Sequence, residues 1–348
     1  MNWVANKKIK YKNIIQQTIE NNCEKTNQYT NGGPLVNELE NFIHKKFQID
    51  EDNAVICCNN ATSALYALTS GIQIVHGVTQ WATQSFTFPA SAQGMLKDAI
   101  IVDIDEDGGI DLEQIPENVN GLIVTNCFGN VVDIDKYVNW CKERNIFLIF
   151  DNAGTGFTFY KGKNSCNYGQ GSIISFHHTK QFGFGEGGAI IVDNKYEYTI
   201  RKLMNFGIDN NNPNEYELYW NRLGNNYKIS EISALYIFQY LRENFDNIIE
   251  HHRKLYDYFR QIETESRIKL YPNFADEGMT VPMCISLLNE KYTEEFTKIL
   301  LNNGYYCRKY YHPLICSKNS VNLYKQILCL PCNLDVNNQE YPWDNLII

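Results

Sequence analysis

The chain has 348 residues, 44% of them hydrophobic and 20% charged, with a formal net charge of −9. That is enough apolar material for one large domain and a smaller one, and the lack of a long basic run argues against a nucleic-acid partner or an anionic membrane surface. No run of about 18 apolar residues occurs, so no transmembrane helix is expected, and scattered cysteines without an apolar leader point to a reducing, cytoplasmic setting.

Apolar residues Ile9, Tyr11, Ile14, Ile15 and Ile19 recur at helical spacing, which predicts a helix over residues 9–24. A turn cluster at 29–34 then leads into a helix with Leu35, Leu39, Phe42 and Ile43 on one face. Residues 54–58 read as a short buried strand. The polar-to-apolar switch at 59–68 reads as the start of a helix, where Ala61, Thr62 and Ser63 are candidates for binding an anion or simply for capping. From there strands are predicted over 78–83, 100–102, 122–125 and 146–150, and helices over 89–96 and 134–143. Such alternation implies a mainly parallel sheet covered by helices. Asp151 directly follows a strand, at the end where ligands of open α/β sheets sit, though a turn or cap role is the plainer alternative.

The segment SFHHTKQFGFGEGG, from Ser175 to Gly188, has a G-x-G-x-x-G pattern at Gly183, Gly185 and Gly188. It opens no helix, because residues 189–193 read as another strand, so a dinucleotide loop is rejected. What remains is strand, Lys180, flexible turn and strand: either a reactive amine held at a sheet edge or a solvated lysine in a hairpin. Further on, a helix is predicted over 196–206, an Asn-rich surface loop over 209–214 followed by Tyr216, Tyr219 and Trp220, and a long helix over 229–262. Strands at 281–287 and 305–308 flank a helix at 294–302 in a small α/β unit. Cys329 and Cys332 have C-x-x-C spacing, yet no second pair stands at zinc-like distance, and core thiols are expected with no metal.

Seven segments in order carry a resemblance: Gly32-Gly-Pro34, the NATSAL run from Asn60 to Leu65, Ser85 to Phe88, Phe150 to Ala153, Ser175 to Lys180, Gly185 to Gly188 and Gly224 to Ile229. Together with Tyr311 to Leu314 and Leu328 to Pro331, they make the chain similar to the pyridoxal-phosphate-dependent sugar aminotransferases of the DegT/StrS group. The resemblance implies fold type I (aspartate aminotransferase-like), an α/β fold with a large domain over 1–240 and a small C-terminal domain over 241–348. It implies that Lys180 forms a Schiff base with pyridoxal 5'-phosphate and later moves a proton, and that Asp151 pairs with the pyridinium nitrogen. Phe88 would stack on one ring face and Ala153 on the other. Ala61, Thr62 and Ser175 would hold the phosphate, and Asn226 would reach the phosphate of a neighbouring subunit in a homodimer with shared sites.

The implied reaction moves an amino group from L-glutamate to a nucleotide-linked keto-deoxysugar, by way of the pyridoxamine form of the cofactor. C4 of a dTDP-4-keto-6-deoxyglucose-like substrate is favoured over a C3 keto-sugar. Thr30, His177, His178, Tyr311 and His312 are the candidate sugar contacts. A dehydratase on the same fold and a non-catalytic regulator are the alternatives; retention of Lys180 and Asp151 speaks for transamination. Two departures stand out. Gly154 occupies the position where the group carries Gln or His against the cofactor's ring oxygen, leaving that contact to Thr155 or a water. Lys228 stands where arginine is common.

Overall fold

Runs of branched, buried side chains build the sheet that organises the molecule. The computed structural model describes residues 2–208, 223–265, 268–342 and 346; the predicted Asn-rich loop at 209–214 and the aromatics Tyr216, Tyr219 and Trp220 lie outside the described residues. Strands β1 (Asn53–Cys58), β2 (Trp81–Gln84), β3 (Ile100–Val102), β4 (Gly121–Thr125) and β5 (Phe147–Asp151) are followed by a two-residue pair, β6 (Phe159–Tyr160) and β7 (Lys163–Asn164), then by β8 (Gly171–Ser175) and β9 (Gly188–Asp193). Seven of them form one sheet in the order β1-β9-β8-β5-β4-β2-β3. Only β9 runs against its neighbours, and the other pairings are parallel.

Both faces of this sheet are apolar, as a parallel sheet covered by helices requires. Helices α1 (Lys12–Ile19), α2 (Pro34–Lys46), α3 (Ala61–His76), α4 (Ile134–Arg144) and α5 (Asn194–Leu203) precede a 35-residue helix, α6 (Glu231–Glu265). Along β1 and β9 the side chains alternate. Val55, Cys57, Ala189 and Ile191 pack with Leu35, Leu39 and Ile43 of α2 and Leu235 and Ile248 of α6. Ile56, Cys58, Ile190 and Val192 face Leu65, Leu68 and Ile72 of α3 on the other side. The buried Glu231 ties two of these helices together, its carboxylate accepting from the backbone N–H groups of Gly33 at 2.8 Å and Leu35 at 2.7 Å. It thereby satisfies amides at the start of α2 that no helical carbonyl can reach.

A second core takes Leu255, Tyr256 and Phe259 from the far half of α6. There a three-stranded antiparallel sheet of β10 (Lys269–Leu270), β11 (Cys284–Leu288) and β12 (Ile327–Pro331) packs with α7 (Glu294–Asn302) and α8 (Lys318–Gln326). The expected division at 240/241 would fall inside α6, which runs from the first core into the second.

Several boundaries differ from the sequence expectation. The helix expected over 89–96 is two short 3-10 turns, Pro89–Ala92 and Gly94–Leu96, separated by Gln93 in extended conformation. The first helix starts at Lys12 and passes into a π-helical turn, Glu20–Glu24, leaving Ile9 outside it. The strand expected over 305–308 is a single bridge between Arg308 and Cys329. The strand expected over 281–287 starts only at Cys284.

Candidate active site

All the carboxyl ends of the parallel strands open on one side of the sheet, and a cleft of about 670 Å³ lies there. Asp151 is the last residue of β5, paired beside Thr125 at the end of β4. Ser175 ends β8 opposite Gly188 of β9, and the β8–β9 connection carries Lys180. Asp151, Ala153, Ser175, His177 and Lys180 line the cleft together with Ala61, Thr62, Phe88, Tyr311 and His312.

The turn that carries Lys180 is fixed from several directions. The Lys180 amide donates to His177 O at 2.8 Å, and the Gly183 amide donates back to Lys180 O at 3.1 Å. Gly183 has to lack a side chain, since a Cβ there would sit 1.8 Å from His177 O. Just before it Phe182 sinks among Phe47, Phe157 and Phe245. The side-chain amide of Gln181 donates to Gly154 O and Val281 O, both at 2.9 Å, binding the turn to the loop after Asp151 and to the approach to β11.

Asp151 is almost fully buried, 3% exposed. Burial pushes its carboxyl up from the usual range, opposed by the Ala153 amide, by the nearby Lys180 and by the Ser91 hydroxyl. One oxygen accepts the Ala153 N–H at 3.0 Å; the other has only a long 3.5 Å contact from Ser91 Oγ. Such a carboxylate can take a further donor or cation from the cleft. Burial likewise pushes the Lys180 ammonium down, opposed by Asp151. This favours a neutral, nucleophilic amine.

At the α3 end of the cleft, Asn60 caps the helix, its side chain accepting from the Ser63 amide at 2.8 Å. Ser63 is thereby engaged in the cap, while the amides of Ala61 and Thr62 occupy the first turn, where no helical carbonyl reaches them. Gly188 lets β9 come up against this turn, because a Cβ on it would lie 2.6 Å from Ala61 N. Free amides at a helix N-terminus suit an anion. Phe88 is 54% exposed, which sets aside a core role, and meets Tyr311 edge-on at 6.2 Å. His177 is held through Nδ1 by Thr179 Oγ1 at 2.8 Å, with Glu186 3.5 Å from Nε2.

Three of the expected residues stand apart from this cleft within one chain. Thr30 is exposed outside it. His178 turns its ring toward Phe184. Asn226 is exposed, with its side-chain oxygen accepting from Lys228 Nζ at 2.8 Å, and the same lysine donates to Asn205 Oδ1 at 2.7 Å. Thr155, expected beside a water to make the contact at Gly154, is not among the residues lining the cleft. It is fully buried, donates to Asn126 O at 2.7 Å and accepts from the Gly129 amide at 3.1 Å.

The place beside Gly154 is taken instead by Met283, whose Sδ would lie 3.4 Å from a Cβ at 154 and accepts from Lys180 Nζ at 3.0 Å. Met283 was not found by sequence reasoning, nor were Trp3, Asn126, Arg308 and Tyr310, which also line the cleft. Trp3 and Met283 come from segments far from the quoted motifs, while Asn126, Arg308 and Tyr310 lie close to expected elements but outside every motif.

A model of the DegT/DnrJ/EryC1/StrS aminotransferase family matches residues 11–340. The chain belongs to this family. It is 24% identical over 346 residues to the dTDP-4-amino-4,6-dideoxy-D-glucose transaminase of Shigella dysenteriae, covering 89% of this chain and 88% of that protein. It is 27% identical over 335 residues to the UDP-4-amino-4,6-dideoxy-N-acetyl-beta-L-altrosamine transaminase of Campylobacter jejuni, covering 88% and 86%. Among solved structures, DesI in the presence of its TDP-sugar product superposes with a TM-score of 0.79 at 22% identity, covering 96% of this chain and 88% of that one. As a member of the family the chain is a pyridoxal-phosphate-dependent aminotransferase of fold type I. The cleft suits that cofactor on its own chemistry: a buried carboxylate with acceptor capacity to spare, a desolvated lysine beside it, and a helix N-terminus fit to hold a phosphate. No helix among the described residues is long and apolar enough to cross a membrane.

Proposed function

We propose that this aminotransferase transfers an amino group from L-glutamate to a nucleotide-linked keto-deoxysugar, with C4 of a dTDP-4-keto-6-deoxyglucose-like substrate the favoured acceptor. The observation that carries the reading is the meeting of Lys180, Asp151 and the α3 N-terminus in one cleft, in a chain similar along most of its length to transaminases named for 4-amino-4,6-dideoxy sugars. When bound, pyridoxal phosphate supplies the electron sink and carries the amino group between the two half-reactions.

The chain's own residues do the rest. Lys180 anchors the cofactor and, once released, takes and returns the proton at the reacting carbon; its depressed basicity keeps it able to do both. Asp151 holds positive charge on the ring nitrogen. Ala61, Thr62 and Ser175 hold the phosphate, while Phe88 and Ala153 confine the ring. His177, Tyr311 and His312 stand on the cleft wall where a sugar would enter. Asn226 is exposed and oriented by Lys228, which suits a role across a homodimer interface.

The test is a panel of dTDP-, UDP- and GDP-linked 4-keto and 3-keto deoxysugars incubated with L-glutamate, reading 2-oxoglutarate release. Turnover with the dTDP-4-keto sugar well above the others is expected. Equal rates across the panel would remove the nucleotide and position assignment, and no release with any member would remove the sugar assignment altogether.

A further inference from the structure

Lys7 is a cation that the reaction does not use, and it sits under the turn that the reaction depends on. Its Nζ donates to two backbone carbonyls of that turn, Lys180 O and Gly183 O, each at 2.6 Å. Its ammonium also lies 5.3 Å from the centroid of the Tyr240 ring on α6. The amide of Gly183 already donates to Lys180 O, so two carbonyl oxygens of one tight turn converge on a common point. Converging carbonyl dipoles repel unless a donor stands between them, and a charged donor does so most strongly.

The surroundings give Lys7 no other task. Burial pushes its ammonium down, to about 7, with no compensating carboxylate among the described residues. His252 beside it is fully enclosed, hydrogen-bonded to Pro282 O at 2.8 Å, and held neutral by burial. Only a cavity of about 20 Å³ remains between Lys7, Lys180, Gln181, His252 and Met283, leaving little room for solvent to replace the ammonium. A part-buried lysine with no ion pair among the described residues is a costly residue to keep for packing alone.

The strand of chain that brings it there is itself tied down. Ala5 and Ile9 are buried on either side. The Asn6 amide donates to Asp335 Oδ2 at 2.6 Å, and Asn333 Nδ2 donates to Asn2 O at 2.8 Å. Trp3, from the same segment, lines the cleft and stands edge-on to Tyr310 at 5.6 Å, with the Arg308 guanidinium 4.7 Å from its ring. The segment therefore reaches the reactive lysine from below through Lys7 and the cleft wall through Trp3.

We infer that Lys7 is a positioning residue, which pins the Lys180–Gly183 turn through its two carbonyls and so sets where the Lys180 side chain enters the cleft. The inference rests on the reading of Lys180 as the cofactor anchor, and the experiment has one arm that does not. Full-length Lys7→Met and Lys7→Arg are compared with the unaltered chain in cofactor-free form. Covalent uptake of added pyridoxal phosphate is followed by absorbance near about 410–430 nm, and hydrogen exchange is followed in peptides covering residues 179–185 and, as a control, β4.

In Lys7→Met, uptake slows about tenfold or more, as a sub-ångström to ångström displacement of a reacting group entails, and exchange in the turn quickens about fivefold or more while β4 is unchanged. Lys7→Arg, which can donate to both carbonyls, restores both to within about threefold. A folded Lys7→Met with uptake and turn exchange within about twofold of the unaltered chain overturns the inference. Should Lys7→Met lack a cooperative melt, Lys7→Arg decides: uptake slower than the stated threefold band overturns it. If Lys180→Ala still takes up cofactor covalently, the reading of Lys180 fails, whereas the exchange arm judges Lys7 separately.

Discussion

Gly183→Ala probes how closely the chemistry depends on the backbone beneath Lys180. The added Cβ would lie 1.8 Å from His177 O, 2.6 Å from His177 C and 2.7 Å from Phe176 O, whereas real Cβ atoms essentially never approach within 3.0 Å. All three are backbone atoms, so no side chain can rotate away; the turn must open by at least about 1.2 Å, the difference between 1.8 and 3.0 Å. That movement cannot be absorbed locally. His177 O accepts the Lys180 amide, Lys180 O accepts the Gly183 amide, and Phe176 O accepts the Phe184 amide at 3.0 Å. A displacement of about 1 Å at a reacting group costs on the order of 100-fold in rate, and overpacking of this kind costs about 1–3 kcal/mol of stability. The assay is kcat at saturating glutamate and keto-sugar, with covalent uptake of pyridoxal phosphate and a thermal melt on the same protein. The expected outcome is a cooperative melt, slowed uptake and kcat lowered about 100-fold. A variant with kcat and uptake within about threefold of the unaltered enzyme would refute the claim that the turn backbone fixes Lys180.

Three further outcomes follow from the same geometry. Asp151→Asn keeps the shape of the site but removes its anion, so kcat should fall about 10²–10³-fold while the phosphate end still holds cofactor; full activity would show that the ring nitrogen needs no carboxylate. Burial lowers Lys7 from its ordinary 10.5 to about 7 in the folded chain, so the folded state binds fewer protons than the unfolded one between those values. Its contribution is complete above the higher value and lost as pH falls through the lower one. The melting temperature should rise from pH 7 toward 10 more steeply in the unaltered chain than in Lys7→Met. The neighbouring His178 and His252 are both lowered by burial and titrate below that window, and parallel melting curves would contradict the shift. Finally, if the proposed homodimer with shared sites forms, the Lys180→Ala and Asn226→Asp proteins should each be inactive, yet recover about a quarter of full activity after mixing and reassociation. Random exchange makes half the dimers mixed, and each mixed dimer has one intact site; no recovery would place Asn226 outside the partner's site.

The elements that sequence reasoning reached are those whose cause is local. The strands β4 and β5 are continuous apolar runs buried on both faces, and α2 and α6 carry stripes that match the helical period, so composition and spacing alone declare them. Asp151 and Lys180 could be placed near the ligand end of the sheet because they stand at a strand end or in the connection that follows one, whereas their roles, and the choice of Ser175, came from the family resemblance. The elements that escaped are those made by long-range pairing. In β10 only Lys269 and Leu270 form the strand, too few for any periodicity, while the strand expected over 305–308 shrinks to one bridge at Arg308, which exists only because Cys329 lies opposite. α8 buries just Ser320 fully among its nine residues, which leaves no apolar stripe to read.

The site shows the same division more sharply. A glycine at 154 declares a missing side chain but cannot say what fills the space, because the answer, Met283, arrives from the approach to β11, 129 positions later in the sequence. A thioether there has a chemical consequence that the polar residue usual at this position would not. Sulfur is a weak acceptor, so Lys180 Nζ gains little stabilisation of its charged form from a contact at 3.0 Å. Asp151 is then the foremost of the groups that oppose the desolvation of the lysine, and its own carboxyl is in turn held by the Ala153 amide and the Ser91 hydroxyl. Lys7 belongs to this class as well: its spacing in the sequence carries no signal, and its meaning comes entirely from two carbonyl oxygens more than 170 residues away.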